Sequence, residues 1–419
     1  MTKKFKIFVI AAGILGATAL LGNYAALYSN NNNGSGESIS QQIRIFSDAF
    51  MIIKDNYVEE ISPKKLIYGA LKGMIGALDN YSQFMEPDIA ERVKSDTEGE
   101  FGGLGIRITS QDNYITVITP IKDTPAYEMG IFPGDQIVEI EGKSAKDISL
   151  REAVNKLRGE PGTDVTISIA REGEEGLLKF TITRDIIVPR KVYSEIIRDD
   201  IGYLRLVEFT GDAPEALKEA IENFKEKGIG GGLILDLRNN PGGLLSSAID
   251  VANLFIQKGE LIVYTEGRRA DQNRKFYAAK KAILPDIPLA ILVNKGSASG
   301  SEIVAGSIKD LKRGIIIGET TFGKGSVQSI IDLADGSSLR LTTAKYYTPS
   351  GVVIHGSGVE PNIEVSISKE TRIQLAKQRQ IIYDRRKKVE EDSGDEQIVD
   401  PQLQRAIDIL VARKIFFDK

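Results

Sequence analysis

Between residues 186 and 366, short apolar runs alternate with stretches of helical periodicity. The apolar runs are Leu233–Leu237, Leu289–Val293 and Ile315–Ile317. The helical stretches are Pro214–Lys227, Leu244–Phe255 and Ser299–Leu311. A run that is apolar at every position is typical of a strand buried on both faces, and such strands are usually parallel and joined by helices. The alternation therefore predicts a layered α/β core.

The segments on either side of this core have different patterns. Residues 99–185 contain short β-rich runs separated by glycine turns, with one amphipathic helix at Leu150–Leu157, which predicts a small β-rich domain. Residues 39–98 have helical periodicity. Residues 367–419 are highly charged and become helical again from Pro401 to Phe417.

The N-terminus has the pattern of a targeting segment. Lys3, Lys4 and Lys6 precede an apolar run from Ile7 to Leu21. A positive segment followed by an apolar one is typical of an export signal, and the asymmetry of positive charge predicts that the rest of the chain lies outside the cytoplasm. The run is long enough that a cleaved signal peptide and an uncleaved anchor both stay open.

The scarcity of two residue types excludes several kinds of chemistry. The 419 residues include no cysteine, which excludes disulfides, thiolate catalysis and Cys-based metal sites. The single histidine, His355, excludes a multi-histidine metal site. We therefore expect acid–base chemistry to use Lys, Asp or Glu. The net charge of −4, with both signs interspersed, gives no electrostatic footprint for nucleic acid.

A glycine- and serine-rich segment, residues 294–302, joins the second apolar run to a helical stretch. A serine at a strand-to-helix turn is exposed at the positive end of a helix dipole, which would suit Ser299 to a nucleophilic role. The amide of Gly300 has no partner inside the helix and could bind a developing oxyanion. The alternative is helix capping by small polar residues. Taken alone, the segment does not decide between the two.

The third apolar run is followed by Lys324 between two glycines. Burial disfavours the charged form of an amine and lowers its pKa, so a lysine at the end of a buried strand can act as general base for a serine hydroxyl. Gln328 lies four positions later, where its amide could orient the amine.

The same segment has the spacing of a phosphate-binding P-loop at Gly318, Gly323 and Lys324. That motif needs Ser or Thr as the next residue to coordinate Mg²⁺, but this chain has Gly325. A β-like run, Ser326–Asp332, also follows where the motif needs a helix. We therefore do not expect nucleotide binding.

Two further glycine-rich turns are candidates for backbone recognition. Residues 235–244 end the first apolar run and open a helix, and the Gly243 amide could supply a second oxyanion donor; the alternative is an ordinary helix-start turn. In the β-rich domain, a glycine-rich turn leads into a strand, which suits capture of a peptide's terminal carboxylate by backbone amides. The expected contacts there are Gly103, Leu104, Gly105 and Ile106.

Together, these segments resemble the signature of the C-terminal processing peptidases, also called tail-specific proteases. The matching segments are Gly-Ser-Ala-Ser-Gly-Ser-Glu (296–302), Phe-Gly-Lys-Gly-Ser-Val-Gln (322–328) and Leu-Arg-Asn-Asn-Pro-Gly-Gly (237–243). Phe-Gly-Gly-Leu-Gly-Ile (101–106) and Pro-Gly-Asp-Gln-Ile (133–137) are similar to the PDZ domain inserted in that family. The resemblance covers about residues 40–366 and extends to the C-terminal helix.

The resemblance implies an α/β fold: a crotonase-like α/β core with an inserted PDZ domain and flanking N- and C-terminal helical regions. The expected organisation is a signal peptide or membrane anchor (1–28), a flexible linker (29–38), an N-terminal helical region (39–98), a PDZ domain (99–185), a peptidase core (186–366) and a C-terminal charged and helical segment (367–419).

The resemblance also implies a serine endopeptidase that uses a Ser–Lys dyad and needs no metal or cofactor. Ser299 would be the nucleophile, Lys324 the general base and Gln328 the residue that orients the lysine. The amides of Gly243 and Gly300 would form the oxyanion hole, although the family usually has alanine at position 300.

Three nearby residues have weaker cases. Ser297 and Ser301 flank Ser299 and are alternative nucleophiles. His355 lies in a loop where the family often has glutamine, and we assign it no catalytic role.

The expected substrates are cell-envelope proteins with accessible, largely apolar C-terminal tails. Membrane association through the N-terminus, a homo-oligomer and an adaptor protein all stay open. Two alternatives also stay open: a catalytically inactive PDZ scaffold that binds tails, and a lysine-assisted esterase or amidase that acts on small substrates.

Overall fold

The computed structural model describes residues 38–417 apart from 112, 122, 199, 369, 373, 376, 377 and 379–397. The expected targeting segment, residues 1–28, and all but the last residue of the expected linker lie outside this part. Within the described residues, no helix combines the length and the apolarity that crossing a bilayer requires. The chain divides into two compact units, Met1–Phe84 and Met85–Lys419.

The first unit is helical in its described part. It contains α1 (Ile39–Asn56) and α2 (Pro63–Gly76), and the short strand β1 (Gln83–Met85) stands at its end. The hydroxyl of Ser62 accepts a hydrogen bond from the amide of Lys65 at 3.3 Å, so it caps the start of α2. Within the described residues, α1 buries no side chain.

The first half of the second unit is the β-rich domain. Its elements are α3 (Pro87–Glu98), β2 (Phe101–Gly103), β3 (Ile106–Gln111), β4 (Tyr114–Pro120), α4 (Pro125–Glu128), β5 (Gln136–Ile140), β6 (Lys143–Ser144), α5 (Leu150–Leu157), β7 (Asp164–Ala170), β8 (Leu178–Thr183) and β9 (Asp185–Ile187). Its antiparallel sheet has the order β3-β4-β5-β7-β8, so β3 is an edge strand. Alternate residues of these strands form a separate aliphatic core.

The second half is the α/β core. Its elements are β10 (Val192–Ile197), β11 (Ile201–Leu206), α6 (Ala213–Glu226), β12 (Gly232–Asp236), α7 (Leu245–Asn253), β13 (Leu261–Gly267), β14 (Arg274–Tyr277), β15 (Leu289–Val293), α8 (Gly300–Asp310), β16 (Ile315–Gly318), β17 (Ser326–Asp332), β18 (Ser338–Tyr347), β19 (Ile363–Glu364) and α9 (Pro401–Phe417).

The main sheet of the core has the order β10-β11-β12-β15-β16-β19. In this sheet, strands β11, β12, β15, β16 and β19 are all parallel to one another. Every residue of β12 and β15 is buried, as their uninterrupted apolar sequences predict. Helices α6, α7 and α8 pack in one hydrophobic cluster, and α9 packs in a second cluster with β12, β15 and β16. The predicted α/β core and the inserted β-rich domain are therefore confirmed.

A second, antiparallel sheet completes the core; the sequence predicts its strand β17 as the β-like run Ser326–Asp332 but does not predict the sheet. β17 pairs with β18, and β18 pairs with β13, which pairs with β14. β17 occupies the segment 326–332, so the glycine–lysine turn before it leads into a strand rather than into the helix of a P-loop.

Candidate active site

Three loops of the core meet at one edge of the main sheet. The adjacent parallel strands β12, β15 and β16 end at Asp236, Val293 and Gly318, and all three point the same way. The loops that follow them (residues 237–244, 294–299 and 319–325; the strand-end loops) therefore lie side by side. This edge, beyond the carboxyl ends of parallel strands, is where α/β sheets bind ligands.

Ser299 stands at the turn between the second strand-end loop and α8. Its backbone has φ 51° and ψ −109°, a region that residues with a side chain seldom adopt, and its side chain is largely buried. Gly242 of the first loop packs directly against it, because a Cβ at Gly242 would lie 2.7 Å from the Ser299 Cβ. Strained turns of this kind persist only where their surroundings hold them, and they cluster at functional sites.

Asparagine side chains hold the first two loops together. Asn294 accepts a hydrogen bond from the Asn239 amide at 2.9 Å and donates one to the Asn239 side chain at 3.0 Å. The carbonyl of Asn240 accepts a hydrogen bond from the Ala298 amide at 3.0 Å. These bonds fix the residues before Ser299 on the first loop.

The two serines that flank Ser299 have structural hydrogen bonds. Ser297 is fully buried, and its hydroxyl donates to the carbonyl of Leu237 at 2.8 Å. Ser301 is also fully buried, and its hydroxyl donates to the carbonyl of Asn240 at 2.9 Å. Both hydroxyls therefore serve to join loops.

One buried carboxylate connects the serine turn with the lysine loop. Glu302 is fully buried, and its Oε2 accepts hydrogen bonds from the amides of Ser299 at 2.8 Å and Lys324 at 2.9 Å. Its Oε1 accepts from the Thr321 hydroxyl and the Gly323 amide, each at 2.6 Å. The backbones of Ser299 and Lys324 therefore share one oxygen atom as their acceptor.

Lys324 is half-buried at this junction. Burial lowers the pKa of its amine, and the positive charge of Arg340 on β18 lowers it further, while Glu302 opposes the shift. A lowered pKa makes the neutral amine, which can accept a proton, more abundant near neutral pH.

Gln328 lies on β17 with one half of its amide bonded. Its Nε2 donates to the Thr342 hydroxyl at 2.8 Å. Its Oε1 is buried and has no hydrogen-bond partner among the described residues. A buried acceptor without a donor is costly, so this oxygen is available to a donor group such as a protonated amine.

The amides of Gly243 and Gly300 lie on the two loops that meet at Ser299. Gly300 is the first residue of α8. Gly243 forms a β-bridge with Phe209, but the hydrogen bonds to Phe209 are made by the Gly242 carbonyl and the Leu244 amide. In the described part of the chain, neither amide donates to a protein group. Two unused amides beside a serine are the donors that an oxyanion hole requires.

The candidate carboxylate-binding residues lie in the β-rich domain. Leu104 and Gly105 form the turn between β2 and the edge strand β3, where Gly105 has a φ of 76°. Their carbonyls accept hydrogen bonds from the amides of Ala126 at 2.9 Å and Ile121 at 2.6 Å. No described residue accepts a hydrogen bond from the amide of either one. Gly103 ends β2, and Ile106 begins β3.

Sequence reasoning assigned no role to Glu302 or Tyr346. Glu302 carries a local signal, because a glutamate three residues after a serine at a helix start is a capping-box pattern. Tyr346 carries none, because β18 brings it to Ser299 from a distant part of the chain. His355 lies next to the lysine loop, where a Cβ at Gly325 would collide with its backbone.

The chain matches three protein-family models in the order of its domains. Residues 9–89 match the model for the activating protease CtpB N-terminal domain, residues 102–182 match the PDZ domain, and residues 200–365 match peptidase family S41.

Two curated relatives cover most of the chain. It is 42% identical to the carboxy-terminal-processing protease of Bartonella bacilliformis, over 86% of this chain and 82% of that protein. It is 36% identical to the carboxy-terminal processing protease CtpA of Bacillus subtilis, over 87% of this chain and 77% of that protein. Among solved structures, it resembles a putative S41 protease from Bacteroides fragilis with a TM-score of 0.51 at 17% identity, covering 85% and 91% of the two chains. That last similarity concerns the fold alone.

Proposed function

This chain belongs to peptidase family S41 and to its carboxy-terminal processing proteases, and from that premise we propose that it cleaves protein tails with Ser299 as nucleophile and Lys324 as general base. The observation that carries the proposal is the shared carboxylate oxygen of Glu302, which accepts hydrogen bonds from the amides of both residues. A serine at a strained turn and a lysine with a lowered pKa are thereby held by one acceptor.

The proposed reaction is acyl transfer. Neutral Lys324 takes the proton of the Ser299 hydroxyl, and the Ser299 oxygen attacks the scissile carbonyl. The protonated lysine then gives its proton to the leaving amine. In the second half, Lys324 activates the water that hydrolyses the acyl-enzyme.

Gln328 would orient the lysine during these transfers. Its buried Oε1 lacks a donor among the described residues, whereas its Nε2 is bonded to Thr342. A protonated Lys324 amine that donates to this oxygen would satisfy the acceptor and stabilise the charge that Lys324 gains in the reaction.

The oxyanion would be bound by the amides of Gly243 and Gly300. Both are unused by the described protein groups, and the Gly242–Ser299 packing brings their loops together. Because both donors are backbone groups in fixed loops, the site needs no rearrangement as negative charge develops.

Tail selection would belong to the PDZ domain. The amides of Leu104 and Gly105 have no acceptor among the described residues, which suits them to a terminal carboxylate. The edge strand that starts at Ile106 could pair with the main chain of the tail, and Gly103 begins the same turn.

We also propose that the protein acts outside the cytoplasm. The proposal depends on the basic residues Lys3, Lys4 and Lys6 and the apolar run after them. A periplasmic reporter fused after Ser38 should be active, and the same fusion without residues 1–28 should be inactive. Equal reporter activity with and without residues 1–28 would argue against export.

The enzymatic proposal is tested by cleavage of a peptide with an apolar C-terminal tail. We expect Ser299→Ala and Lys324→Ala to abolish cleavage. The matched controls, Ser350→Ala and Lys309→Ala, should retain it, because the Ser350 hydroxyl bonds to Asp310 at the exposed surface and Lys309 donates to the exposed Glu360 carbonyl. Equal cleavage by all five proteins would exclude the dyad, and no cleavage by wild type would favour the inactive scaffold.

The same assay tests tail recognition with a second substrate. The peptide carrying an amidated C-terminus lacks the terminal charge, so we expect its KM to rise at least about tenfold. Equal KM values for the free and the amidated tail would instead favour an esterase or amidase that ignores the tail.

A further inference from the structure

Tyr346, on β18 of the second sheet, has its side chain bonded to that of Ser299. Its phenol and the Ser299 hydroxyl form a side-chain hydrogen bond. Tyr346 is 4% exposed and Ser299 is 7% exposed, so water has little access to this bond. The contact therefore belongs to the interior of the site.

The backbone of Tyr346 is fixed to the lysine loop. Its amide donates to the carbonyl of Gly325, the residue after Lys324, at 2.8 Å. Tyr346 also pairs with Thr265 of β13, and it belongs to the main hydrophobic cluster of the core. The phenol is thus held between the lysine loop and the serine turn.

The two groups beside Ser299 are tuned in opposite directions. Burial raises the pKa of the Tyr346 phenol and the contact with Ser299 opposes that shift, so the net effect keeps the proton on the phenol. Burial lowers the pKa of the Lys324 amine, which favours its capacity to accept. Both shifts follow from burial, which disfavours the charged form of each group.

We propose that Tyr346 is a catalytic residue that donates a hydrogen bond to the Ser299 oxygen while Lys324 removes the serine proton. This inference rests on the proposed function. The Ser299 O–H bond breaks and its proton moves to the lysine nitrogen, the new bond forms between the serine oxygen and the scissile carbon, and the carbonyl electron pair moves to the oxyanion. Tyr346 keeps its own proton throughout.

The donor has a use in both halves of the reaction. In acylation it stabilises the negative charge that the serine oxygen carries as its proton leaves. In deacylation the same oxygen is the leaving group, and the phenol again stabilises it before Lys324 returns the proton. Loss of this donor should therefore slow both steps.

The test compares Tyr346→Phe with its matched control Tyr347→Phe. Tyr347 faces away from Ser299 and stacks on Tyr264 with ring centroids 4.9 Å apart. We expect Tyr346→Phe to lower kcat about 10-fold to 100-fold with KM within about twofold, since a bond to a developing charge is lost in the transition state. A kcat for Tyr346→Phe equal to or higher than that of Tyr347→Phe would overturn the inference.

The same cleavage assay on wild type and Ser299→Ala separates this inference from the proposed function. If wild type is inactive, or Ser299→Ala cleaves as well as wild type, the proposed function fails and the inference fails with it. If Ser299→Ala is inactive while Tyr346→Phe matches wild type, the inference alone fails.

A second variant covers the case in which the phenylalanine protein does not fold. Fluorinated tyrosine at position 346 keeps the hydroxyl but has a lower phenol pKa. Its phenol therefore loses the proton that it donates at a lower pH than tyrosine does. We expect kcat to fall with rising pH at a lower pH than in wild type. An unchanged pH profile would contradict a donor role, because a residue that only fills space would not respond to ionisation.

Discussion

At the scale of single residues, Glu302 joins the loops of the candidate site and takes no part in the proposed proton transfers. Its two oxygens accept four hydrogen bonds, from Ser299, Thr321, Gly323 and Lys324. Burial raises the pKa of its carboxyl, and the four donors oppose that shift. The four bonds therefore offset part of the cost of burying this carboxyl group.

Glu302→Gln tests this arrangement. The carboxamide offers one acceptor oxygen, and its NH₂ group cannot accept from the amide N–H groups that the second carboxylate oxygen serves, so at least one of the four bonds is lost. We expect kcat to fall about 100-fold, since misplacement of the serine by a fraction of an ångström misaligns the attack. The free energy of unfolding should fall by about 1–3 kcal/mol.

The control for this change is Glu360→Gln on the exposed surface. Its kinetics and urea unfolding should match wild type. If Glu302→Gln also matched wild type in kcat, the shared carboxylate would not be what aligns the serine and the lysine.

Arg340 should set the pH at which the enzyme becomes active. Its charge lowers the pKa of Lys324, second in effect only to burial. In the proposed mechanism the active form has a neutral amine, so kcat/KM should rise as pH rises through the pKa of Lys324. Arg340→Met removes the neighbouring charge, which raises that pKa and moves the rise in activity to higher pH.

The pH profile of Arg340→Lys is the comparison for Arg340→Met. Lysine keeps the positive charge, so its profile should stay close to that of wild type. If the profiles of Arg340→Met and Arg340→Lys coincided, the charge of Arg340 would not be acting on the base.

At the scale of elements, three adjacent strands and their loops make the site, and glycine allows the loops to approach. Gly242 has a φ of 101°, and a Cβ there would lie 2.7 Å from the Ala298 carbonyl oxygen and 2.8 Å from the Gly300 amide. The close approach therefore affects the turn of the nucleophile and one proposed oxyanion donor together.

Gly242→Ala should separate these loops. We expect a loss of at least about 100-fold in kcat/KM from misplacement of the turn, and a loss of about 1–3 kcal/mol in stability from backbone strain. Gly230→Ala is the matched control, because no heavy atom lies within 4 Å of its Cβ position. Wild-type kinetics in Gly242→Ala would show that the packing of the two loops does not matter.

The sequence predicts some of these elements better than others. Leu289–Val293 and Pro401–Phe417 have the bounds that periodicity predicts, because an uninterrupted apolar run or a sustained helical repeat is a strong local signal. β17 has the bounds of the predicted β-like run, Ser326–Asp332, and residues 333–337 join it directly to β18. The rest of the second sheet is not predicted, because β18 pairs with β13, which lies far away in the sequence. Their pairing depends on tertiary packing that local periodicity does not encode.

At the scale of the whole molecule, a buried ion network attaches the C-terminal helix to the first strand-end loop. Arg238 donates to Asp236 at 2.6 Å and 2.9 Å, and to Asp400 at 2.9 Å and Gln402 at 3.0 Å. Arg238 and Asp236 are almost fully buried. Residues more than 160 positions apart are thus joined at the start of the loop that carries Gly243.

Arg238→Ala should therefore destabilise the fold as well as the site. Removing one member of a buried ion pair leaves the other charges without compensation, which costs about 3–5 kcal/mol. Arg269→Ala, at an exposed pair with Asp271, should change the free energy of unfolding by less than about 0.5 kcal/mol. Equal urea midpoints for the two variants would contradict a structural role for the network.

Some residues of the candidate site can be found from local sequence patterns, and others only from the fold of the whole molecule. Ser299, Lys324 and Gly243 each follow a buried strand, so one rule about strand ends finds all three. Tyr346 lies inside β18, and only the fold brings it to the serine. A residue with no local signal and a long sequence separation is found only when coordinates are available.

The most direct measurement is the pH-dependent rate at which a fluorophosphonate modifies the protein, with the modified residue identified by mass spectrometry. We predict one adduct, on Ser299, with a rate that rises through the lowered pKa of Lys324 and falls at least about 1000-fold in Lys324→Ala. An adduct on another serine, or an undiminished rate in Lys324→Ala, would contradict the Ser–Lys mechanism.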